Sequence, residues 1–491
     1  MNPVRILALA GLMATATSSA SEPGATLAGR FCTPCHRLPD PSELDKAGWR
    51  DGALPLMRRR LGIDRLRPEE PDQKAVLDDF EAIARHYVES APETPNEPPL
   101  PPIRIGLAGF TVIRATCHPT NQMTSLVHID PVSHRLLVGN QETRTLDVVA
   151  PDGTLLSSLP VESPPVHAAR VGEDLYVTLI WSLSPHEARR GKVLRMRLAD
   201  DHLTQVTEVL SGLPRPVHTS VSDLKDGRGP TLFVSGFGFL TGALSRWDRD
   251  SSGNWNPRVL HDQAGVLKTD VRDWTGDGKP DVLAWVAQGR EGLLLYRNDG
   301  AGGFGPEERL LEFGPSWGSA GFAVADMDGD GLEDLVAANG DTGEYAGSNR
   351  PYHGIRILLR KPGPRFVEWR RLPQHGAYGA RVLDADGDGD LDIAANSFFP
   401  DYRGRMEESF VLWRNQGGGR FEPEAFEEIP SGRWMTLDAG DLDGDGDDDL
   451  VLGAANWVAF PVLRDLAAHW RREPVSVVIL RNDRKPTSSK P

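Results

Sequence analysis

The stretch DMDGDGLED, residues 326–334, places aspartates at its first, third, fifth and ninth positions and glycine at its sixth. Carboxylates at that spacing, with glycine for the sharp turn and a backbone carbonyl at the seventh position, form a hard-oxygen cage for Ca2+. Four carboxylates within nine residues repel one another unless a cation sits among them. Mg2+ suits such a loop less, because it keeps its waters. Two further copies are complete, DADGDGDLD at 384–392 and DLDGDGDDD at 441–449. A weaker copy, DWTGDGKPD at 273–281, has Thr275 at the third position. The first aspartates lie 53, 58 and 57 residues apart, and each loop follows a short apolar strand. Periods of this length with several strands each indicate propeller blades.

The expected calcium ligands are Asp326, Asp328, Asp330 and Asp334; Asp384, Asp386, Asp388 and Asp392; and Asp441, Asp443, Asp445 and Asp449. Asp273, Thr275, Asp277 and Asp281 make the weaker site, giving three to four ions. A degenerate copy, DLKDGRGPT at 223–231, lacks the ninth aspartate and carries Lys225, so a turn without metal is expected there. Earlier strand–turn–strand patterns raise the count to seven blades, beginning near residues 125, 165, 216, 267, 320, 378 and 434. The last blade shows three strands of its own. GFTVIRA, residues 109–115, is expected to add the fourth and close the ring. The expected fold is therefore mainly β: a seven-bladed propeller over 109–484, with a flexible tail at 485–491.

Composition agrees with a turn-rich β protein: 51 Gly, 39 Pro and only 7% aromatic residues in 491. A net charge of −16 argues against nucleic acid as a partner. At the N-terminus, Arg5 precedes an apolar run from Ile6 to about Ala14, and Ser18 and Ala20 offer a small-residue cleavage site before Ser21. Residues 1–20 are thus expected to be a cleaved signal peptide, too short in its apolar part to anchor the chain. No later apolar run approaches a membrane span, so a periplasmic or secreted protein without a transmembrane anchor is expected.

An exported chain gives weight to Cys32-Thr33-Pro34-Cys35-His36. A disulfide would use no histidine, a zinc site needs a second Cys/His pair that this region lacks, and a thioredoxin-like dithiol lacks its βαβ surroundings. Covalent haem c uses all three side chains: Cys32 and Cys35 for thioether bonds and His36 as proximal iron ligand. GATLAGRF before the motif and AVLDDFEAIARHYVES after it carry apolar residues at helical spacing. Met57, the only methionine of the region, is the expected distal ligand, with His86 as the alternative. The Pro-rich stretch that follows, residues 92–108, reads as a semi-rigid linker.

Residues 21–91 resemble the small class I cytochrome c domain, and the Asp-rich loops resemble the FG-GAP/VCBS repeats of integrin-type propellers. The whole chain resembles exported bacterial proteins in which a cytochrome c domain precedes such a propeller. The resemblance implies one covalent haem c and calcium-stabilised blades; the cage residues carry over fully only for blades five to seven.

Three long insertions, 340–354, 398–409 and 457–470, fall on the propeller face opposite the acidic loops. Loops on a rigid scaffold commonly carry binding residues, and Asp341, Tyr345, Tyr352, His353 and His375 are the candidates there. His167, His218 and Lys268 share one register at the start of consecutive inner strands and are candidates for the channel mouth, with His128 nearby but out of register. Cys117 is expected to be a buried thiol. The expected function is electron transfer by a haem c protein whose propeller binds a substrate or a redox partner protein. The alternatives are an adhesion or glycan-binding propeller with an accessory haem domain, and an oxidoreductase using the haem as built-in acceptor. No catalytic residue is assigned.

Overall fold

The computed structural model describes residues 23–94, 99–118, 122–224, 229–343, 350–456 and 462–484. The expected signal peptide, Lys225, Tyr345 and the C-terminal tail lie outside the described residues. Seven sheets follow one another around a ring, with inner strands at Thr124–Asp130, Pro165–Val171, Pro216–Asp223, Val266–Arg272, Ser319–Ala325, Ala377–Leu383 and Trp434–Gly440. These starts lie within a residue or so of the positions expected from sequence. The second strands are buried on both faces, as in Asp281–Val286 and Asp334–Asn339, because a blade packs against a neighbour on each side. Their near-continuous apolar sequences follow from that two-sided burial.

The core is correspondingly divided, with one apolar cluster between each pair of neighbouring blades. Trp274, Trp285, Phe313 and Phe322 join blades 4 and 5. Cys117 is fully buried between blades 7 and 1, and burial pushes its thiol up to about 12.

The last blade has three strands from the C-terminal end, and its outer strand is Phe110–Arg114, paired antiparallel with Val477–Asn482. This pairing closes the ring, with Val112 opposite Leu480 and packed on the cluster between blades 6 and 7. Proline at this position removes a backbone donor and misfits the ladder. Val112→Pro is therefore expected to cost about 3 kcal/mol, the scale of proline in a hydrogen-bonded element. Val259→Pro, on the outer strand of blade 3 and paired with Ser245 of the same blade, does not touch the ring closure and should cost less. Equal losses in urea titrations of the two variants would refute a special role for the closing pair.

Ahead of the propeller, three α-helices are described: α1 (Gly24–Cys32), α2 (Leu54–Arg60) and α3 (Pro71–Ser90). They enclose their own core of Leu27, Trp49, Leu54, Phe80, Ile83 and Tyr87. Gly24 lets α1 cross closely over α3, since a Cβ there would lie 2.2 Å from the Ala82 carbonyl oxygen. Trp49 packs against Tyr87 with ring centres 4.3 Å apart, and both donate to backbone carbonyls, Trp49 Nε1 to Pro41 and the Tyr87 hydroxyl to Pro39.

The stretch after α3 departs from a simple spacer. Arg104–Ile105 pairs parallel with Glu424 and Ala425 as a fifth strand on blade 6, while Ile103 and Leu107 pack on the propeller core. Apolar residues among the prolines, and an ion pair between Arg104 and Glu424, explain why this end is docked. No described helix is long and apolar enough to cross a membrane.

Candidate functional site

Cys32 is the last residue of α1, and the chain turns at once, with Cys35 N bonded to Cys32 O at 3.4 Å. Neither thiol is in a disulfide, and both are half-buried. Burial, and then the neighbouring Cys35, raises the Cys32 thiol to about 11; burial also raises Cys35. His36 Nδ1 donates to the Arg37 carbonyl at 2.8 Å. In a neutral ring this leaves the lone pair on Nε2, the form in which imidazole binds a metal. The thiols at the helix end and the oriented ring therefore fit the donor set of covalent haem c. Met57 lies on α2, half-buried against the helical core that also takes up Phe31 and Cys32. His86 flanks Gly24, at the opposite end of α1 from Cys32. The helical rise puts about 12 Å between those ends.

The helical unit sits on the propeller through the same segment. Arg37 Nη1 donates to Glu312 O at 3.4 Å, and Glu43 accepts a hydrogen bond from the Ser316 hydroxyl. The Arg60 guanidinium lies 5.7 Å from the Phe239 ring centre. A side chain built at Gly289 would come within 3.8 Å of Cys35 O. Glu312 ends the outer strand of blade 4, and the other propeller residues belong to loops entering the inner strands or linking second to third strands, on the face that bears the long insertions. Burial raises the Glu43 carboxyl, although Ser316 offsets part of the shift.

The insertion residues named from sequence are more enclosed than exposed loops. His353 and His375 are only 2% and 4% exposed. His375 Nδ1 lies 2.9 Å from Glu408 Oε2, which ties the 398–409 insertion to the start of blade 6. Tyr352 stacks on Trp317 at 5.9 Å, and the Arg356 guanidinium covers Trp317 from 4.0 Å. Burial drives His353 well below its ordinary value, so its ring is neutral. Asp341 Oδ1 accepts from Gly343 N within its own loop. Tyr352 of this insertion thus packs on Trp317, beside the seat of Glu43.

The channel residues come together as their register implies. His167, His218 and Lys268 each follow the same irregularity in the pairing of their inner strands, opposite Thr178, Ser235 and Trp285. The rings of His167 and His218 lie 4.0 Å apart. Protein surrounds them, yet each keeps some exposure to the channel. Burial, then His128, Lys268 and Arg381, lowers His167 to about 3; burial likewise carries His218 well down.

Two channel residues were missed in the sequence. Arg381 Nε donates to Asp438 Oδ1 at 2.8 Å, and His128 Nδ1 is 3.5 Å from Asp438 Oδ2. Burial pushes the Asp438 carboxyl up, but Arg381 and His128 outweigh it and hold it low. Counting two residues past the shared register position in blades 1, 6 and 7 gives His128, Arg381 and Asp438. That count would have found them.

On the opposite face, ligand atoms of Asp326, Asp328 and Asp334, of Asp384, Asp386 and Asp388, and of Asp441, Asp443 and Asp445 each gather within 4.8 Å. First-position aspartates also hold the turn: Asp326 accepts from the backbone of Gly329, Asp330 and Gly331. Ninth-position aspartates open the second strand and tie it to the third. Asp392 accepts from Ala385 N and Asn415 N, and Asp449 from Leu442 N and Asn482 N. Asp330, by contrast, accepts from Leu332 N. In blade 4, Asp273 accepts three turn N–H groups, Asp281 accepts from Thr275 N, and Lys279 places its ammonium 3.0 Å from Asp277. Asp447, overlooked in the sequence, carries two carboxylate oxygens that are buried without a partner. Burial and then Asp445 push it up to about 7.

The FG-GAP-like repeat family matches residues 273–337 and 384–452, so the propeller carries FG-GAP repeats over blades that bear the acidic loops. No curated protein matches the chain. Among solved structures the chain is similar to the N-terminal domain of Nup159, at 13% identity over 78% of this chain and 98% of that one, with a TM-score of 0.43. It is similar to the Pan2 WD40 domain of Neurospora crassa at 10% identity, over 78% and 98%, with a TM-score of 0.47. A luciferin-regenerating enzyme aligns at 11% identity over 64% and 98%, with a TM-score of 0.38.

Proposed function

We propose that this FG-GAP propeller protein is an exported haem c electron carrier, and that its calcium-held propeller binds the substrate or redox partner. The observation that carries the reading is the seating of the Cys32–Cys35–His36 segment on the propeller's insertion-bearing face, with Arg37 bonded to Glu312 O. A redox centre held there would lie beside the loops best placed to recognise a partner. When bound, haem c would supply a one-electron centre. Cys32 and Cys35 would hold it covalently, and His36 would face it through Nε2, kept in that tautomer by Arg37 O. Met57 is the better distal ligand, because His86 sits at the far end of α1. The three full acidic loops would take Ca2+, cross-linking strands on the opposite face.

An oxidoreductase using the haem as acceptor is the catalytic form of this reading. A binding or adhesion module with an accessory helical unit is the second reading, favoured by the FG-GAP propeller itself. Reduced-minus-oxidised spectra of protein exported from a haem-attaching host test the haem assignment, and absent c-type bands would remove it. Haem reduction during a substrate screen separates the catalytic form from a relay. Met57→Ala is expected to lower the midpoint potential, since loss of thioether ligation removes its potential-raising effect. His86→Ala should leave the potential in place. The reverse pattern in redox titrations would assign His86 instead.

A further inference from the structure

The central channel holds an ammonium, Lys268, that no carboxylate of the described residues contacts, while Asp270 and Asp438 act on it only from beyond ion-pair distance. A cavity of about 390 Å3 is lined by Lys268, Asp270, Arg272, Ala323, Ala325 and Arg381, among others. Two of its three cations have carboxylate partners. Arg272 bonds Asp270 at 2.6 and 2.8 Å and pairs with Glu333, while Arg381 bonds Asp438. Lys268 differs. Its ammonium donates to Phe322 O at 2.8 Å and lies 4.9 Å from the Phe322 ring centre, and among the described residues no carboxylate is within ion-pair distance. Burying a cation without a counter-charge is costly unless a ligand or solvent supplies one.

The surroundings leave room for such a ligand. Blade 5 contributes only the apolar Ala323, Val324 and Ala325 to the cavity wall, and a Cβ on Gly321 would meet nothing within 4 Å. Toward blades 1 to 3, His218 Nδ1 and His128 Nε2 are buried without hydrogen-bond partners. A neutral imidazole can donate to or accept from a bound group without adding charge. A metal cation is disfavoured here, because Lys268 and Arg381 would repel it.

We propose that the channel is a binding site for a small oxyanion, with Lys268 as its counter-charge and the channel histidines as hydrogen-bonding neighbours. The anion would complete a charge-assisted hydrogen bond with the ammonium inside a low-dielectric wall, where such bonds are strong. The site requires neither haem nor calcium, so its failure would leave the electron-transfer reading untouched. Burial, then Arg381, pulls Lys268 down to about 8 against the opposing effect of Asp270 and Asp438, and a bound anion would raise it again. Binding near pH 8 should therefore take up protons.

The test is calorimetric titration of the full chain with sodium sulfate and, separately, sodium malonate, against sodium chloride at matched ionic strength. Saturable binding of sulfate alone identifies an inorganic oxyanion, and tighter malonate binding identifies an organic carboxylate. Either supports the site if Lys268→Gln weakens binding by about tenfold or more, Lys268→Arg retains it, and proton uptake appears in buffers of different ionisation heat. Should Lys268→Gln fail to fold, Ala323→Asp puts a carboxylate into the same cavity from the facing wall and must give the same loss. No saturable heat beyond chloride, or unchanged binding in either folded variant, overturns the proposal.

Discussion

Replacing Cys32 and Cys35 together by alanine is expected to abolish c-type absorbance in exported protein while leaving the propeller's melting transition in place. The effect should be all-or-none, because both thioether bonds come from these two residues and the only other cysteine is buried in the propeller. The single variants should retain a weakened or partial attachment. His36→Ala should leave attachment possible but change the spectrum and potential, since it removes the ring whose Nδ1 is fixed by Arg37 O. The helical core of Trp49, Tyr87 and Phe80 contains neither cysteine as a fully buried member, and the propeller core is separate from it. Retained c-type bands in the double variant would sink the assignment. Loss of the propeller transition along with the bands would show instead that the cysteines serve folding.

Calcium removal is the second large effect. Each occupied site stabilises the folded state by about 2.7 kcal/mol when free Ca2+ exceeds its dissociation constant a hundredfold. Three full loops then contribute about 8 kcal/mol, a large share of an ordinary domain's total stability. EGTA is thus expected to lower the melting temperature by roughly 10 °C, since unfolding entropy of about 2.1 cal/mol/K per residue makes a propeller over 109–484 shift only about 1 °C per kcal/mol. The blade 7 loop should be the most sensitive, because Asp447 adds an unpartnered carboxylate to Asp441, Asp443 and Asp445. In blade 5, Lys361 lies 3.5 Å from Asp328 and 3.9 Å from Asp330 and supplies part of the positive charge. Asp443→Ala should therefore reduce the EGTA effect more than Asp328→Ala. An unchanged melting temperature in EGTA would remove calcium from the account of the fold.

The pH dependence of the calcium-free protein has a definite sign. Burial, and for Asp447 also Asp445 and Asp449, raises Asp447 to about 7; burial raises Asp392 and Asp449 to about 6. A group raised in the folded state contributes stability below its unfolded value and loses it as pH rises through the folded one. Between about pH 4 and 7 the calcium-free protein should therefore lose stability as these loops ionise. Added Ca2+ should reverse the trend, because it favours the ionised form.

The propeller was legible because its two signals are local and repeated. Asp-Gly loops recur at nearly constant spacing, and each inner strand restarts within a residue or so of the position that spacing implies. The closing strand was legible for a related reason: the last blade had three strands, and an orphan strand stood at the other end of the domain. The Cys-x-x-Cys-His spacing of Cys32, Cys35 and His36 was equally local. The pairing of Arg104–Ile105 on blade 6 was not, since two residues after a proline run carry no periodicity of their own.

Sequence by itself determined the acidic loops and the cysteine motif, because each depends on residues close together in the chain, and the repeat and blade number, because those local patterns recur at nearly constant spacing. Tertiary structure alone decided which of the named residues share a site. His353 and His375 proved buried, and Glu43 was brought to Ser316 from 273 positions away. Arg381 and Asp438 joined His128 only when the ring closed on itself. The physical reason is that a propeller's channel and faces are assembled from every blade at once. Burial, charge balance and pKa there are properties of the closed ring, and no single repeat contains them.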